Sequence, residues 1–395
     1  MNEFELGLAN RRRILGDAWV EKSLSEANAL TAEFQTLITR HAWHDVWNRK
    51  HDTAFDDKTR RLIVLAMTLG LGRYEEFALH VKAGLAATDV SALSIDDIKE
   101  LVIQGVTYCG VPAANTAMHV VANVLKETGA SSPALHVVKS GEFSAHRPTL
   151  VLSHALGHNH TMWDAIMPQL AAEYTVVRYD HRGQGASQKS STEFGIDALV
   201  DDAASVILRE VFAKGAGPVH FIGLSMGGMV AQALAARYPY LVKSIVVANS
   251  AMLYDDTARA LWRTRVDTVT RNGMEPVVEM ALARWFTPEF RVSNASEVDR
   301  VVAILRSNDP TAYTRTCTAI SMIDYRKTNP GICCPTLVIA GARDEATPPA
   351  FSDAIHASIP GSTLVSIDAA HISVAEKPAE FASAVLSFLN QQHGK

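Results

Sequence analysis

Ser225 stands in Gly223-Leu224-Ser225-Met226-Gly227-Gly228, after the apolar run Val219-His220-Phe221-Ile222 and before the helix-forming stretch Met229-Val230-Ala231-Gln232. Strand, Gly-x-Ser-x-Gly, helix is an order that puts a serine on a turn so tight that the residues two away must lack side chains. Its hydroxyl is then exposed at the C-terminal edge of a sheet. The same turn aims the Met226 N–H and a helix N-terminus at negative charge forming beside Ser225. A glycine-rich loop reads the same way in isolation, so the weight falls on the partners. A nucleophilic serine needs a base and an orienting acid, which here follow in the chain order Ser, Asp or Glu, His. Residues 336–341 read as a buried parallel strand ending in Ala342-Arg343-Asp344, and residues 363–367 as another that runs into Asp368-Ala369-Ala370-His371. Asp344 is the candidate acid and His371 the candidate base. An early strand at 149–153 followed by His154-Ala155-Leu156-Gly157 nominates the Leu156 amide as the second oxyanion donor, beside Met226. His154, His158 and His160 can also be read as a metal cluster, but a triad already supplies the chemistry and no acid or thiol completes a ligand set. Neither a metal nor a cofactor is expected.

A second chemically suggestive pair lies far upstream. Glu76 and His80 are four residues apart, on one face of a largely apolar helix and within hydrogen-bonding reach. A buried histidine whose imidazolium is stabilised by a carboxylate can deliver a proton; a surface i,i+4 pair is the plainer reading. His41 and His44 beside Trp43 and Trp47 form another polar patch, and His-x-x-His is too weak a pattern for a metal site.

The elements that position these groups fall into two kinds. Residues 1–130 are helical in pattern, with apolar positions at 30, 34, 37 and 38 and a run at 61–69 that is apolar nearly all round and reads as a core helix. Ser94 and Asp97 make a capping-box start for a helix over 95–108. Gly110-Val111-Pro112 ends it before a last helix at 113–126. Thr128-Gly129-Ala130-Ser131-Ser132-Pro133 reads as a linker, which divides the chain into domains at 1–130 and 131–395. The second domain alternates strand and helix except between Ser250 and Tyr325, where helical stretches at 258–270 and 276–284 read as a cap, about 251–325, over the serine.

Composition bounds the function. The chain has 395 residues, 48% hydrophobic and 20% charged, with a formal net charge of −5. Residues 1–130 hold 14 Lys+Arg against 17 Asp+Glu, and the remainder 23 against 25, so neither half is basic. Nucleic acid and anionic membranes are poor partners for such a surface. No apolar stretch approaches a membrane span, and Arg11-Arg12-Arg13 is followed by Ile14-Leu15-Gly16-Asp17 rather than by a signal-peptide core. A cytoplasmic protein is expected. The four cysteines, two isolated and two adjacent, agree with a reducing compartment.

Residues 38–47, the Glu76/His80 helix and Tyr108-Cys109-Gly110-Val111-Pro112-Ala113-Ala114-Asn115 together resemble the 4-carboxymuconolactone decarboxylases, over nearly all of residues 10–127. Peroxidase-type relatives of that superfamily carry Cys-x-x-Cys shortly before the histidine; Arg73 and Glu76 occupy those places here and argue against a thiol peroxidase. Residues from about 150 to 387 resemble the 3-oxoadipate enol-lactone hydrolases, through Leu156-Gly157 with Met162-Trp163-Asp164, Tyr179-Asp180-His181-Arg182-Gly183-Gln184-Gly185, the serine turn, residues 283–290 and Gly341 to Pro348. Departures are His154-Ala155, where a more Asn-Ser-like pair is expected, and the short segment before Thr149, which points to a missing first strand.

The resemblances imply an all-α domain followed by an α/β-hydrolase domain, a mostly parallel sheet flanked by helices with a helical cap. They imply one bifunctional enzyme of protocatechuate degradation, because the family product of the first activity is the family substrate of the second. His80 with Glu76 would protonate the dienolate left by decarboxylation of 4-carboxymuconolactone. Ser225, His371 and Asp344 would then hydrolyse the enol-lactone to 3-oxoadipate. Arg284 beside Trp285 is the expected partner of the remaining substrate carboxylate, and His41 and Trp43 are further candidates for substrate contact. A homo-oligomer built through the helical domain is implied, with small lactones as ligands. The alternative is a serine esterase or cofactor-free perhydrolase, which share Gly-x-Ser-Met-Gly-Gly, fused to an inactive helical assembly module.

Overall fold

The computed structural model describes residues 2–49, 55–130, 132–144 and 147–393. Two compact units result, Met1–Ser131 and Ser132–Lys395. The domain limit expected at 130/131 abuts Ser131, which is outside the described residues.

The first unit is helical: α1 (Glu3–Leu15), α2 (Asp17–Ser25), α3 (Ala32–Ile38), a π-helical stretch Thr39–Val46, α4 (Asp57–Gly70), α5 (Tyr74–Ala86), α6 (Ile95–Cys109) and α7 (Val111–Glu127). The capping box forms as read: Ser94 Oγ accepts from the Asp97 N–H at 3.0 Å and Asp97 Oδ2 from the Ser94 N–H at 2.8 Å. Only Gly110, at φ +87°, separates α6 from α7, so Pro112 sits inside the first turn of the last helix, where its missing N–H has no partner to lose. Leu65, Leu69, Phe77, Val81, Ile98, Val102 and Val121 make the core of α4 to α7, and Trp43 and Trp47 join Ile14 and Val20 in a second cluster. Two readings are corrected. Helix α4 buries one face only, Arg61, Leu65 and Leu69, and leaves Met67 exposed. The apolar face expected at 30–38 faces outward, with Leu30, Phe34 and Leu37 all exposed.

The second unit is a seven-stranded sheet in the order β1-β3-β2-β4-β5-β6-β7, where β1 is Val137–Ser140, β2 Thr149–Ser153, β3 Thr175–Tyr179, β4 Val219–Leu224, β5 Val242–Ala248, β6 Thr336–Gly341 and β7 Thr363–Ile367. Among the described strands only β1 is antiparallel, pairing with β3. A strand therefore does precede Thr149. Strands β2, β3, β4 and β6 are buried at every residue, which is why they read as unbroken apolar runs and not as alternation. Around the sheet lie α8 (Met167–Glu173), α9 (Ile196–Glu210), α10 (Met226–Arg237), α16 (Pro349–Ser358), α17 (Ser373–Glu376) and α18 (Pro378–His393). Between β5 and β6 the cap comprises α11 (Asp256–Asn272), α12 (Glu275–Trp285), α13 (Pro288–Ser293), α14 (Ala295–Ser307) and α15 (Pro310–Ser321). The strand order reverses between β2 and β4, so the loops leaving their C-terminal ends, which carry Leu156 and Ser225, diverge and open a crevice there. Among the described residues no helix is long and apolar enough to cross a membrane.

Candidate active site

Ser225 is at φ +57° and ψ −115°, a conformation that L residues rarely adopt. The surroundings impose it. Its N–H donates to Ala248 O at 2.8 Å, and its carbonyl accepts from Ser250 Oγ at 2.7 Å. A Cβ on Gly223 would strike the Gly227 carbonyl, and one on Gly227 would strike the Ser153 carbonyl, so both glycines of the turn are required by contact. The N–H groups of Leu156 and Met226 have no acceptor among the described residues, which leaves both available to an oxyanion.

His371 Nε2 lies 2.9 Å from Ser225 Oγ, and its Nδ1 lies 2.8 Å from Asp344 Oδ2. Both His371 and Asp344 are buried. Asp344 also accepts from the Ala346 and Thr347 N–H groups at 2.8 and 2.9 Å, from Thr347 Oγ1 at 2.8 Å and from Asn249 Nδ2 at 3.0 Å. Burial alone would raise its pKa, but the charge and hydrogen bond of His371 together with these donors hold it below the ordinary carboxylate value. An ionised acid so held fixes the ring with Nδ1–H toward Asp344 and leaves Nε2 to accept the serine proton.

Asn249 was missed by sequence reading. Its φ is +47°, its amide also donates to Ala370 O at 3.3 Å, and its carbonyl oxygen accepts from Ser373 Oγ at 2.5 Å. It brackets Asp344 and the His371 loop from below. The only sequence signal was an asparagine immediately after a strand, a residue type that tolerates positive φ.

Ser225 and His371 open into a cavity of about 310 Å³ beneath the cap. Two of its lining residues are arginines, Arg284 as expected and Arg265, which sequence reading missed; among the described residues neither has a carboxylate partner. Arg265 stacks on Trp262, its guanidinium carbon 4.8 Å from the ring centroid. Trp285 lines the same cavity and its carbonyl accepts from the Ile372 N–H at 3.0 Å, tying the cap to the residue after His371.

The histidines read as a metal cluster separate. His154 Nδ1 donates to Ala155 O and Nε2 accepts from the His181 N–H, so it staples two loops as a neutral ring; burial pushes its pKa down to about 4. His158 is buried, and among the described residues neither ring nitrogen has a hydrogen-bond partner. An acid does approach His160: among the described residues His136, His160 and Asp180 bring one ligand atom each within 4.8 Å of one another. Asp180 Oδ1 is already occupied by the N–H and Nδ1 of His160, at 2.7 and 2.8 Å, and Oδ2 by the Ala186 N–H. These hydrogen bonds tie His160 and Asp180 together, and the His136 ring centroid lies 5.1 Å from that of His160.

In the helical unit the expected Glu76–His80 bond does not form. Glu76 is exposed, and His80 Nδ1 is buried without a partner. Burial pushes the His80 pKa down to about 4, the charge of Arg61 adds to this, and Glu76 opposes it only weakly by comparison. Burial therefore favours the neutral imidazole, against the expectation of a carboxylate-held imidazolium. The Trp43 ring stacks on Trp47 at 5.6 Å between centroids inside the core cluster, and the His41 side chain is 77% exposed beside Asp45. No hydrogen bond among the described residues joins either to His80.

Residues 148–378 match the alpha/beta hydrolase fold family and residues 32–123 the carboxymuconolactone decarboxylase family. The second unit is similar to 3-oxoadipate enol-lactonase 2 of Acinetobacter baylyi, 34% identical over 65% of this chain and 93% of that protein. The first is similar to the 4-carboxymuconolactone decarboxylase of the same organism, 35% identical over 32% of this chain and 89% of that protein. Among solved structures, the enol-lactonase from Burkholderia xenovorans LB400 superposes with a TM-score of 0.62 at 30% identity, covering 65% of this chain and 97% of that one.

Proposed function

We propose, for a chain that belongs to the alpha/beta hydrolase fold family and carries a carboxymuconolactone decarboxylase family domain ahead of it, two consecutive reactions of 3-oxoadipate formation. In the first, 4-carboxymuconolactone loses one carboxylate as CO2 in the helical unit. The bonding electrons enter the conjugated lactone as a dienolate, and a proton from His80 closes the reaction at carbon. The ring acquires that proton with substrate bound, since a carboxylate brought beside a buried imidazole favours its charged form.

In the second, Ser225 Oγ passes its proton to His371 Nε2 and attacks the lactone carbonyl, with the oxyanion received by the Leu156 and Met226 amides. Collapse expels the ring oxygen as an enolate that is reprotonated to the ketone. Water activated by His371 then hydrolyses the ester on Ser225, giving 3-oxoadipate. The observation that carries this reading is that Ser225 and His371 share a cavity with Arg265 and Arg284, two cations without carboxylate partners. An acidic lactone fits such a site better than a neutral ester does.

Supplying 4-carboxymuconolactone and following CO2 and 3-oxoadipate together tests the whole scheme. Equal release of both supports it, and production of neither refutes it. A second reading, an esterase on an inert helical module, is favoured by the exposure of Glu76; it predicts no CO2 from the isolated first unit. The helical unit is further proposed to assemble with copies of itself. Exposed Met67, Ile103, Val106 and Tyr108 and an apolar groove of about 920 Å³ between α4 and α6 support this, and the mass in solution tests it.

A further inference from the structure

Arg61, on α4, is fully buried. Its Nε donates to Ser91 Oγ at 3.1 Å, while both terminal guanidinium nitrogens are buried with no acceptor among the described residues. On the neighbouring α5, His80 Nδ1 is in the same condition. The carboxylates whose charge reaches Arg61 are Asp89 and Asp57. Both are bound by Arg13, at 3.2 and 2.8 Å, and Asp89 also takes the hydroxyl and N–H of Ser91.

A buried cation with two unused donors is costly, and an apolar side chain of similar volume in its place would cost the fold less. A planar fork of parallel N–H groups matches carboxylates and phosphates, and of these the proposed lactone substrate offers the carboxylate. We propose that Arg61 and His80 form a carboxylate-binding site in the helical unit, and that it receives the carboxylate which the lactone keeps through decarboxylation. This rests on the decarboxylase reading above.

The choice between the two substrate carboxylates follows from transition-state reasoning. Pairing the departing carboxylate with a guanidinium would stabilise the ground state and lose that interaction as charge moves into the ring. Pairing the retained one anchors the substrate equally before and during bond cleavage. The anchored lactone then stands beside His80, where the proton is needed. Sequence reading did not single out Arg61, which opens a run that is apolar nearly all round.

The test uses the full chain with Ser225→Ala, so that the ring is not opened, and Arg265→Ala, so that the cavity under the cap competes less. The probe is the lactone carrying hydrogen where the departing carboxylate would be, titrated calorimetrically with and without Arg61→Met. Affinity should fall roughly 10–150-fold, the worth of a charge-assisted hydrogen bond, while the melting temperature holds or rises because an unpaired buried charge has gone. Unchanged affinity overturns the proposal. A fall in affinity accompanied by a lower melting temperature, or failure to fold, also overturns it, because Arg61 would then be a structural brace. These outcomes are independent of turnover: if the wild-type chain released no CO2, the decarboxylase reading would fail while the probe still decided whether a carboxylate site exists.

Discussion

Glu376 clamps Thr287: its Oε1 accepts both the N–H and the hydroxyl of Thr287, at 2.5 and 2.8 Å, while its Oε2 accepts the N–H of Ala370 at 2.5 Å. Thr287 follows α12 of the cap and Ala370 immediately precedes His371, so one carboxylate ties the cap to the His371 loop. Glu376→Gln turns one accepting oxygen into a donor that faces an N–H, and one arm of the clamp must break. The expected result is a roughly tenfold lower kcat for lactone hydrolysis, the scale of one hydrogen bond to a charged group, with a lower melting temperature. Steady-state kinetics on supplied enol-lactone checks it; an unchanged kcat would mean that the loop holds its position without the cap.

On the proposed scheme Ser225→Ala should stop hydrolysis and leave decarboxylation running, because the proposed nucleophile, Ser225, and the proposed proton donor, His80, lie in different units. Enol-lactone should accumulate when 4-carboxymuconolactone is supplied. Residual hydrolysis of about 10³-fold over water is expected from binding and the oxyanion donors alone. Near wild-type formation of 3-oxoadipate, after subtraction of background, would remove Ser225 from the mechanism.

Asn249→Ala should cost about 1–3 kcal/mol in stability, since it leaves donors and acceptors of Asp344, Ala370 and Ser373 unmatched and sets an alanine at positive φ. Asn249→Gly removes the same hydrogen bonds but relieves the backbone. A glycine variant that is more stable than the alanine variant, yet equally slow, would separate backbone strain from the bracing of Asp344; urea melts and kcat for the pair decide it.

What could be read from the sequence were the groups whose placement follows from local pattern. Ser225, Asp344 and His371 each end a strand or follow one in the expected order, and the capping box at Ser94 needs only a four-residue window. Asn249, Glu376, Arg265 and Arg61 were not legible, because each acts through segments distant in the chain: Asn249 meets Asp344 across 95 residues and Glu376 meets Thr287 across 89. Periodicity found the apolar stripe of Leu30, Phe34 and Leu37 but could not say that it would be left exposed. Helical spacing likewise put Glu76 within reach of His80 without saying that one would face water and the other the core.

Acid should weaken the fold earlier than carboxylate protonation alone would. Burial pushes His80 and His154 down to about 4 and His158 to about 3, against 6.5 for the free side chain. Between those values the unfolded chain binds more protons than the folded one. The stability tied to each neutral ring is therefore complete above pH 6.5 and falls as pH drops toward 4. At about 1.4 kcal/mol per pH unit, His154 alone accounts for about 3 kcal/mol by pH 4. Urea unfolding at pH 7, 5.5 and 4.5, at constant ionic strength, should show a continuous decline starting near 6.5. A plateau down to pH 4.5 would show that these rings take up protons in the folded state.

The two cap arginines make the most direct statement about substrate class. Arg265 is oriented by its stack on Trp262, whereas Arg284 is exposed and held by no hydrogen bond among the described residues. A guanidinium already held in place loses less conformational freedom when it binds, so Arg265 should contribute more of the carboxylate recognition. Arg265→Ala should lower kcat/KM for the acidic enol-lactone roughly 10–150-fold, Arg284→Ala by less, and both should leave a neutral ester of similar size within a few-fold of wild type. Losses that simply add in the double variant would mean that the two cations act independently, whereas a departure from additivity would mean that both reach the same carboxylate. Equal losses on acidic and neutral substrates would show that the arginines support the cap and do not read charge, and the esterase reading would then be preferred for this unit.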